Sequence, residues 1–268
     1  MANNKVEIEN NLTLIRSLIT KHKRHDHIFA GVGMFIIVSL TITLLVLFLD
    51  LVFDGYPRFN LDFLTNFPSR RATAAGILSA WVGSSLVLIV TFFAAVPLGI
   101  AAGVYLEEYA KKNWFSDLIE INVTNLAGVP SIIYGLLALG LFVYGFGLGQ
   151  TILTAGLTLA LLMLPIVIVA TREAIRAIPI HIREAAYAVG ATKWQVSLHH
   201  VIQYSYGGIL TGVIIGMARA IGETAPVITI GALTFIAFLP PSPVGLEPPF
   251  INFEWLEAGF TVLPIQMF

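Results

Sequence analysis

The sequence predicts an all-α membrane protein, a multi-pass bundle of transmembrane helices. Hydrophobic residues make up 57% of the chain and charged residues 12%, with a mean hydropathy of +0.84. A soluble domain carries about 25% charge. Long apolar runs recur, several reaching the roughly 20 residues needed to cross a hydrocarbon core about 30 Å thick. Basic residues lie in separate short stretches between these runs, too few and too dispersed for a nucleic-acid surface. The chain has no cysteine, so neither disulfides nor thiol chemistry can be read.

The elements follow in order. Residues 1–27 are polar and basic and read as a cytoplasmic N-terminal segment. The run 28–49 is too long for a signal-peptide core and lacks a small-residue cleavage site after it, so it reads as an uncleaved anchor, the first transmembrane helix. A polar connection with Pro57 and Pro68 leads to the main body, 76–268. A second helix spans about 76–105 and contains Pro97. A third starts near Asp117, with Asp117 and Glu120 as its cap. Pro130 removes one of its backbone hydrogen bonds and should kink or interrupt it. Tyr144 to Gly149 holds three glycines and reads as a tight turn. A fourth helix covers about 150–170, a polar segment 171–206, and a fifth helix about 207–238. Pro240, Pro241, Pro243, Pro248 and Pro249 forbid regular structure beyond it.

Orientation follows from lysine and arginine. Lys5, Arg16, Lys21, Lys23 and Arg24 precede helix one, Lys111 and Lys112 separate helices two and three, and Arg172, Arg176, Arg183 and Lys193 separate helices four and five. Only Arg58, Arg70 and Arg71 lie on the opposite side. The N-terminus and the 171–206 segment are therefore expected in the cytoplasm.

Two stretches carry chemistry. The fifth apolar run contains Arg219 and Glu223. A charged residue at the bilayer centre costs about 2.5–3.5 kcal/mol even on lenient insertion scales, so intramembrane charges default to function. Their i,i+4 spacing puts both on one helix face, with Gly208, Gly212 and Gly216 below them. Small residues let another backbone approach, so this face is expected against protein or the central path. An internal ion pair that only locks helices is the plain alternative. Arginine suits an oxyanion because its planar fork makes two parallel hydrogen bonds. Glu223 is expected to hold Arg219 while the path is empty, or to accept a proton that the oxyanion carries. The second stretch is the polar segment, where Glu184 to Val189 forms a short helix that ends at Gly190. A second short helix starts near Thr192 and leads into the membrane. An exposed helix rich in small residues suits docking into a groove on another protein. Ala185 and Ala186 permit close approach there, and Glu184 adds a charge.

The spacing Glu184-Ala-Ala-x-x-x-Gly190-Ala191 between two transmembrane helices resembles the coupling (EAA) loop of ABC importer permeases. Together with Arg219-Ala-Ile-Gly-Glu-Thr-Ala-Pro226 and Ala127-Gly-Val-Pro-Ser-Ile-Ile-Tyr-Gly135, the chain resembles the phosphate importer permeases, more particularly the PstA-type subunits, from about residue 79 to 268. The resemblance implies a type I importer permease (MetI-like) fold in a bacterial cytoplasmic membrane, with no catalytic site of its own. It implies a PstC-type sister permease, two copies of a PstB-type ATPase that carry ATP and Mg, and a PstS-type external phosphate-binding protein. It assigns Glu184, Ala185, Ala186, Gly190 and Ala191 to ATPase coupling, and Arg219, Glu223 and Thr224 to the phosphate path. Where the family carries prolines this chain has Gln203 and Gly207, so the start of the fifth helix is less rigidly fixed. The family also has a sixth helix. Too few apolar residues remain for one here, which leaves a chain that continues past Phe268, the preferred reading, or a five-helix variant.

Other functions are weighed on the same residues. A secondary transporter also uses intramembrane charge and broken helices, but it needs no coupling loop. An ATPase needs a phosphate-binding loop, and no lysine here directly follows a glycine. No His-Glu-x-x-His spacing for a metal is present. Another oxyanion, sulfate or molybdate, is the alternative substrate.

Overall fold

The computed structural model describes residues 2–71, 74–111, 113–244 and 250–266, with side chains described at Lys23 and from Asp26 on. The sequence readings at Lys5, Arg16, Lys21, Arg24, Lys112, Pro248 and Pro249 fall outside the described side chains. The chain divides into two compact units at Asn60.

The first unit is a single helix, α1 (Ala2–Gly55). It joins the polar segment and the anchor into one element. Nothing in the sequence breaks it before Pro57, which sits in the 3-10 turn Tyr56–Arg58 that ends it. Its part Asp26–Arg58 is long and apolar enough to cross a membrane.

The second unit begins with the short α2 (Leu61–Thr65). The long α3 (Leu78–Val104) runs through Pro97 and continues as a π-helical turn, Tyr105–Tyr109. Then comes α4 (Trp114–Leu126). Its cap is Asn113, not Asp117: Asn113 Oδ1 accepts from the Ser116 amide at 3.0 Å, and Asp117 lies in the first turn. Asn113 has the extended backbone that a cap requires. After Pro130 the chain resumes as α5 (Ser131–Ala138), extended by a π-helical stretch Leu139–Gly145, and the two halves are bent by 104°. Gly147 and Gly149 both take positive φ, 68° and 69°, in the turn before α6.

Helix α6 (Ile152–Arg176) is capped by Thr151 and runs past the expected end near residue 170. The two arginines of its last turns are paired, as described below, and the next breaker is Pro179. Two short helices follow, α7 (Ile180–Ala188) and α8 (Lys193–Val196). Thr192 and Gln195 form a reciprocal capping box on α8. A π-helical turn, Ser197–Val201, joins α8 to α9 (Ile202–Gly222), making one helical segment from Lys193 to Gly222. With Gln203 and Gly207 in place of proline, no break occurs there.

The fifth helix does not reach residue 238. Pro226 has no N–H, and its ring would collide with the carbonyl four residues earlier, that of Gly222. The helix stops at Gly222, Glu223 turns extended (φ −79°, ψ 117°), and α10 (Ala225–Ile230) starts after it. Gly231, at φ 100°, ends α10. The last element is α11 (Leu263–Gln266).

Helix α6 is the centre of this unit, with α3 along one side and α9 along the other. Gly99, Gly103 and Gly156 sit where α3 and α6 touch, against Val167, Thr171 and Val90. The closing segment folds back over the end of the bundle opposite α7. Trp255, Phe260, Val262 and Ile265 fill a cluster with Leu86, Val87, Ile152 and Leu159. Ser84 Oγ accepts from the Leu263 amide at 2.8 Å, the Ala258 carbonyl from Ile152, and the Phe260 carbonyl from Leu233. Leu78–Tyr109, Ile152–Arg176 and Lys193–Gly222 are each long and apolar enough to span, and the bent pair Trp114–Leu126 with Ser131–Gly145 makes one broken span. With the anchor helix, that gives five candidate spans among the described residues, the number read from the sequence.

Candidate functional site

Two broken helices meet at one place. The break at Ala127–Pro130 precedes α5, and the break at Glu223–Thr224 precedes α10. Helices α5 and α10 pack closely because Gly135 has no side chain: a Cβ there would collide with Thr229 Oγ1 and with the Pro226 backbone. Tyr134 Oη donates to the Leu126 carbonyl at 2.8 Å, so it satisfies backbone freed by the first break.

Arg219 and Glu223 flank the second break. Arg219 Nε donates to Glu223 Oε1 at 3.2 Å, with the arginine side chain 42% exposed and the carboxylate 18%. Glu223 therefore has its back to the protein, and the guanidinium keeps an open side. Glu223 also lines a cavity of about 10 Å³ with Ser84 and Ala220, about the room for one water. Thr224 is partly buried in the break. Its carbonyl accepts from Ile228, and its side chain does not cap α10.

The glycine stripe faces α6 of this same chain. Cβ atoms at Gly208 and Gly212 would meet Ala174 and Ala170, and one at Gly216 would meet Met163 at 2.9 Å. Gly212 and Gly216 are buried, and Arg219 lies off that face. The three glycines seat α9 on α6 and bring Arg219 to the edge of the bundle.

At the opposite end, α7 presents one face outward and buries the other. Glu184, Ala185, Tyr187, Ala188 and Gly190 are exposed. Ala186 is buried, and with Ala191 it packs on Ile175, Ile178, Val196 and Val201. Ala185 thus remains open to close approach, while Ala186 and Ala191 support the helix from beneath. Arg183 staples α7 to the bundle. Its Nε and Nη2 donate to Glu108 Oε1 at 3.0 and 2.8 Å, and it also donates to the carbonyls of Ile175 and Ile178 at the end of α6. Gly190 ends α7 at φ 87°, with nothing within 4 Å of where a Cβ would stand.

Sequence reasoning missed a cluster of charges between α3, α4 and α6. Glu120 of α4 bridges two arginines of α6, Arg172 at 2.7 Å and Arg176 at 3.1 Å. Glu107 holds the same two: Arg176 Nε at 2.9 Å, and Arg172 Nε at 3.4 Å, which is ion-pair distance but outside hydrogen-bond geometry. Arg172 is buried at 6% exposure. The available signal was Arg172 and Arg176 at i,i+4, one face of a helix, with carboxylates in a neighbouring loop.

The fold defines a multi-pass helical membrane protein in which two helix breaks meet and a charged pair stands at the second. Residues 95–244 match the family of binding-protein-dependent transport system inner membrane components, and the chain belongs to that family. It is a transporter permease by family. It is 32% identical over 239 residues to the probable ABC transporter permease protein YqgI of Bacillus subtilis, covering 88% of this chain and 76% of that one. It is 40% identical over 195 residues to the phosphate transport system permease protein PstA of Mycobacterium leprae, covering 73% of this chain and 59% of the relative. PstA of Yersinia pestis is 31% identical over 231 residues, covering 83% and 77%.

Proposed function

We propose that this chain is the permease subunit of an ATP-driven inorganic phosphate importer and forms half of the translocation path. The observation that carries the substrate is the Arg219–Glu223 pair at a helix break, with the guanidinium open on one side. A broken span puts irregular backbone where it lines a cavity, as substrate sites in membranes require. The two PstA relatives, named as phosphate transport permeases, support the same substrate.

In this reading Arg219 binds the oxyanion through its fork, Glu223 neutralises it between substrates, and Thr224 lines the same break. A sister permease supplies the other half of the path, and an external phosphate-binding protein delivers the ion. A pair of cytoplasmic ATPases binds ATP and Mg and docks on the exposed face of α7 through Glu184 and Ala185. The lysine and arginine distribution supports a cytoplasmic N-terminus and a cytoplasmic α7.

Phosphate uptake by vesicles holding the assembled complex tests this. Arg219→Gln with Glu223→Gln leaves no unpaired charge, so the complex is expected to assemble and yet fail to take up phosphate. Normal uptake by that double variant would reduce the pair to a structural lock. Competition by excess sulfate or molybdate distinguishes the substrate, and neither is expected to slow uptake.

A further inference from the structure

An apolar groove of about 510 Å³ lies on the outside of the bundle at the end that carries α7. Pro97 and Ile100 of α3 form one wall, Trp194 and Ile202 the other, and Tyr105 and Tyr109 stand at its end. From Pro97 to Tyr109 the groove runs roughly 18 Å along the helix at about 1.5 Å per residue. One leaflet's share of the hydrocarbon core is roughly 15 Å. The groove is therefore as deep as one leaflet.

Its ends differ. The deep end is aliphatic, while the other end carries Tyr105, Tyr109 and Trp194, aromatic residues with one polar atom each, the type enriched at headgroup level. Trp194 and Tyr105 are 65% and 60% exposed. A charge stands at the same end: Lys193 Nζ lies 4.9 Å from the centroid of the Tyr109 ring. The nearby carboxylate Glu108 is taken up by Arg183. Among the described residues no carboxylate pairs with Lys193.

We infer that this groove binds an anionic phospholipid of the cytoplasmic leaflet, with an acyl chain along Pro97 and Ile100 and the phosphate at Lys193. The inference rests on the proposed cytoplasmic placement of α7. Cytoplasmic leaflets are the anionic ones, and each basic residue near such a surface contributes about 1 kcal/mol, about a fivefold preference. The bound lipid would bridge α3 and α8, and α8 is joined to α7 through Gly190. The lipid thus steadies the loop from beside the Ile175–Val196 cluster, which shares Val104 with the groove.

The test uses the complete transporter in nanodiscs containing brominated phosphatidylglycerol or brominated phosphatidylcholine. The Trp194 signal is the difference in fluorescence between wild type and Trp194→Phe. At equal mole fraction, the anionic lipid is expected to occupy the groove about fivefold better, and Lys193→Gln is expected to abolish that preference. Lys193 is exposed, so the variant is expected to fold. Equal quenching by the two lipids, or a preference that survives Lys193→Gln, would overturn the inference. Absence of quenching by either lipid would overturn it too, because protein then covers the groove. Phosphate uptake by the same complex in vesicles separates the two readings: uptake without lipid preference sinks only the groove, and preference without uptake sinks only the transport role.

Discussion

Glu120→Gln should release α4 while leaving the rest of the bundle in place. Helix α4 has no buried residue, and its outer face carries Trp114, Phe115, Leu118 and Ile121 exposed. Packing therefore does little to hold it. Its ties to the body are the Glu120 carboxylate on Arg172 and Arg176, at 2.7 and 3.1 Å, and the Leu126 carbonyl on Tyr134. A hydrogen bond to a charged group contributes about 1.5–3 kcal/mol. Glu120 is 38% exposed, so solvent screening brings the pair of bonds toward the lower end of that range. The amide of glutamine keeps one acceptor and loses the charge, for a net loss of about 1.5 kcal/mol, about tenfold in an opening equilibrium. Arg172 keeps Glu107 at 3.4 Å, so no buried charge is abandoned.

Amide hydrogen exchange on membrane-embedded protein measures this directly. Exchange across residues 114–126 is expected to speed up about tenfold, with α6 unchanged. Unaltered exchange in α4 would show that something other than Glu120 holds it. Equal acceleration in α6 would show that the cluster stabilises the whole bundle rather than one helix.

Other substitutions test the remaining features. Gly190→Val places a β-branched residue at φ 87°, which costs about 1–2 kcal/mol of local strain in open space; the protein should insert normally, and phosphate uptake together with transport-stimulated ATP hydrolysis should fall, so wild-type values of both would refute the coupling role. Gly212→Leu drives a side chain into Ala170, which should separate α9 from α6 and lower the thermal midpoint measured in detergent, whereas the same change at the exposed Gly207 should be mild.

Hydropathy reports only which solvent a segment matches, and at that level the chain was legible. The five apolar runs became five spans among the described residues, the third broken at Pro130 and the fifth ending early at Gly222. Local backbone rules were legible as well. Gly190 takes the positive φ that its place after a short helix implied, and Pro130 breaks the third span. Three things were not legible, each for a physical reason. Hydropathy cannot see the end of α9, because Gly222 to Phe238 stays apolar while Pro226 removes the backbone bond. The Glu107–Arg172–Arg176–Glu120 cluster joins residues more than 50 positions apart, and helical periodicity carries no information about which faces meet. The closing segment carries so many prolines nearby that its return to the bundle was invisible, although Trp255, Phe260 and Val262 are the buried residues of an element that packs.

The two prolines matter more in combination than alone. Pro130 and Pro226 each stop a helix, and a lone break in lipid would leave polar backbone without partners. Here the resumed halves, α5 and α10, pack directly on one another, because Gly135 faces Pro226 and Thr229 with no side chain between. Tyr134, one residue earlier, turns back to the carbonyl that the first break frees. The Ala127–Gly135 and Arg219–Pro226 motifs, over 80 residues apart in sequence, are thus two sides of one contact. That contact explains why Arg219 can stay half exposed within a span. The break supplies irregular backbone and room, Glu223 supplies the countercharge from the protein side, and the guanidinium is left facing the open side. A helix continuing unbroken through Glu223 would lack the open backbone on which the proposed phosphate site depends.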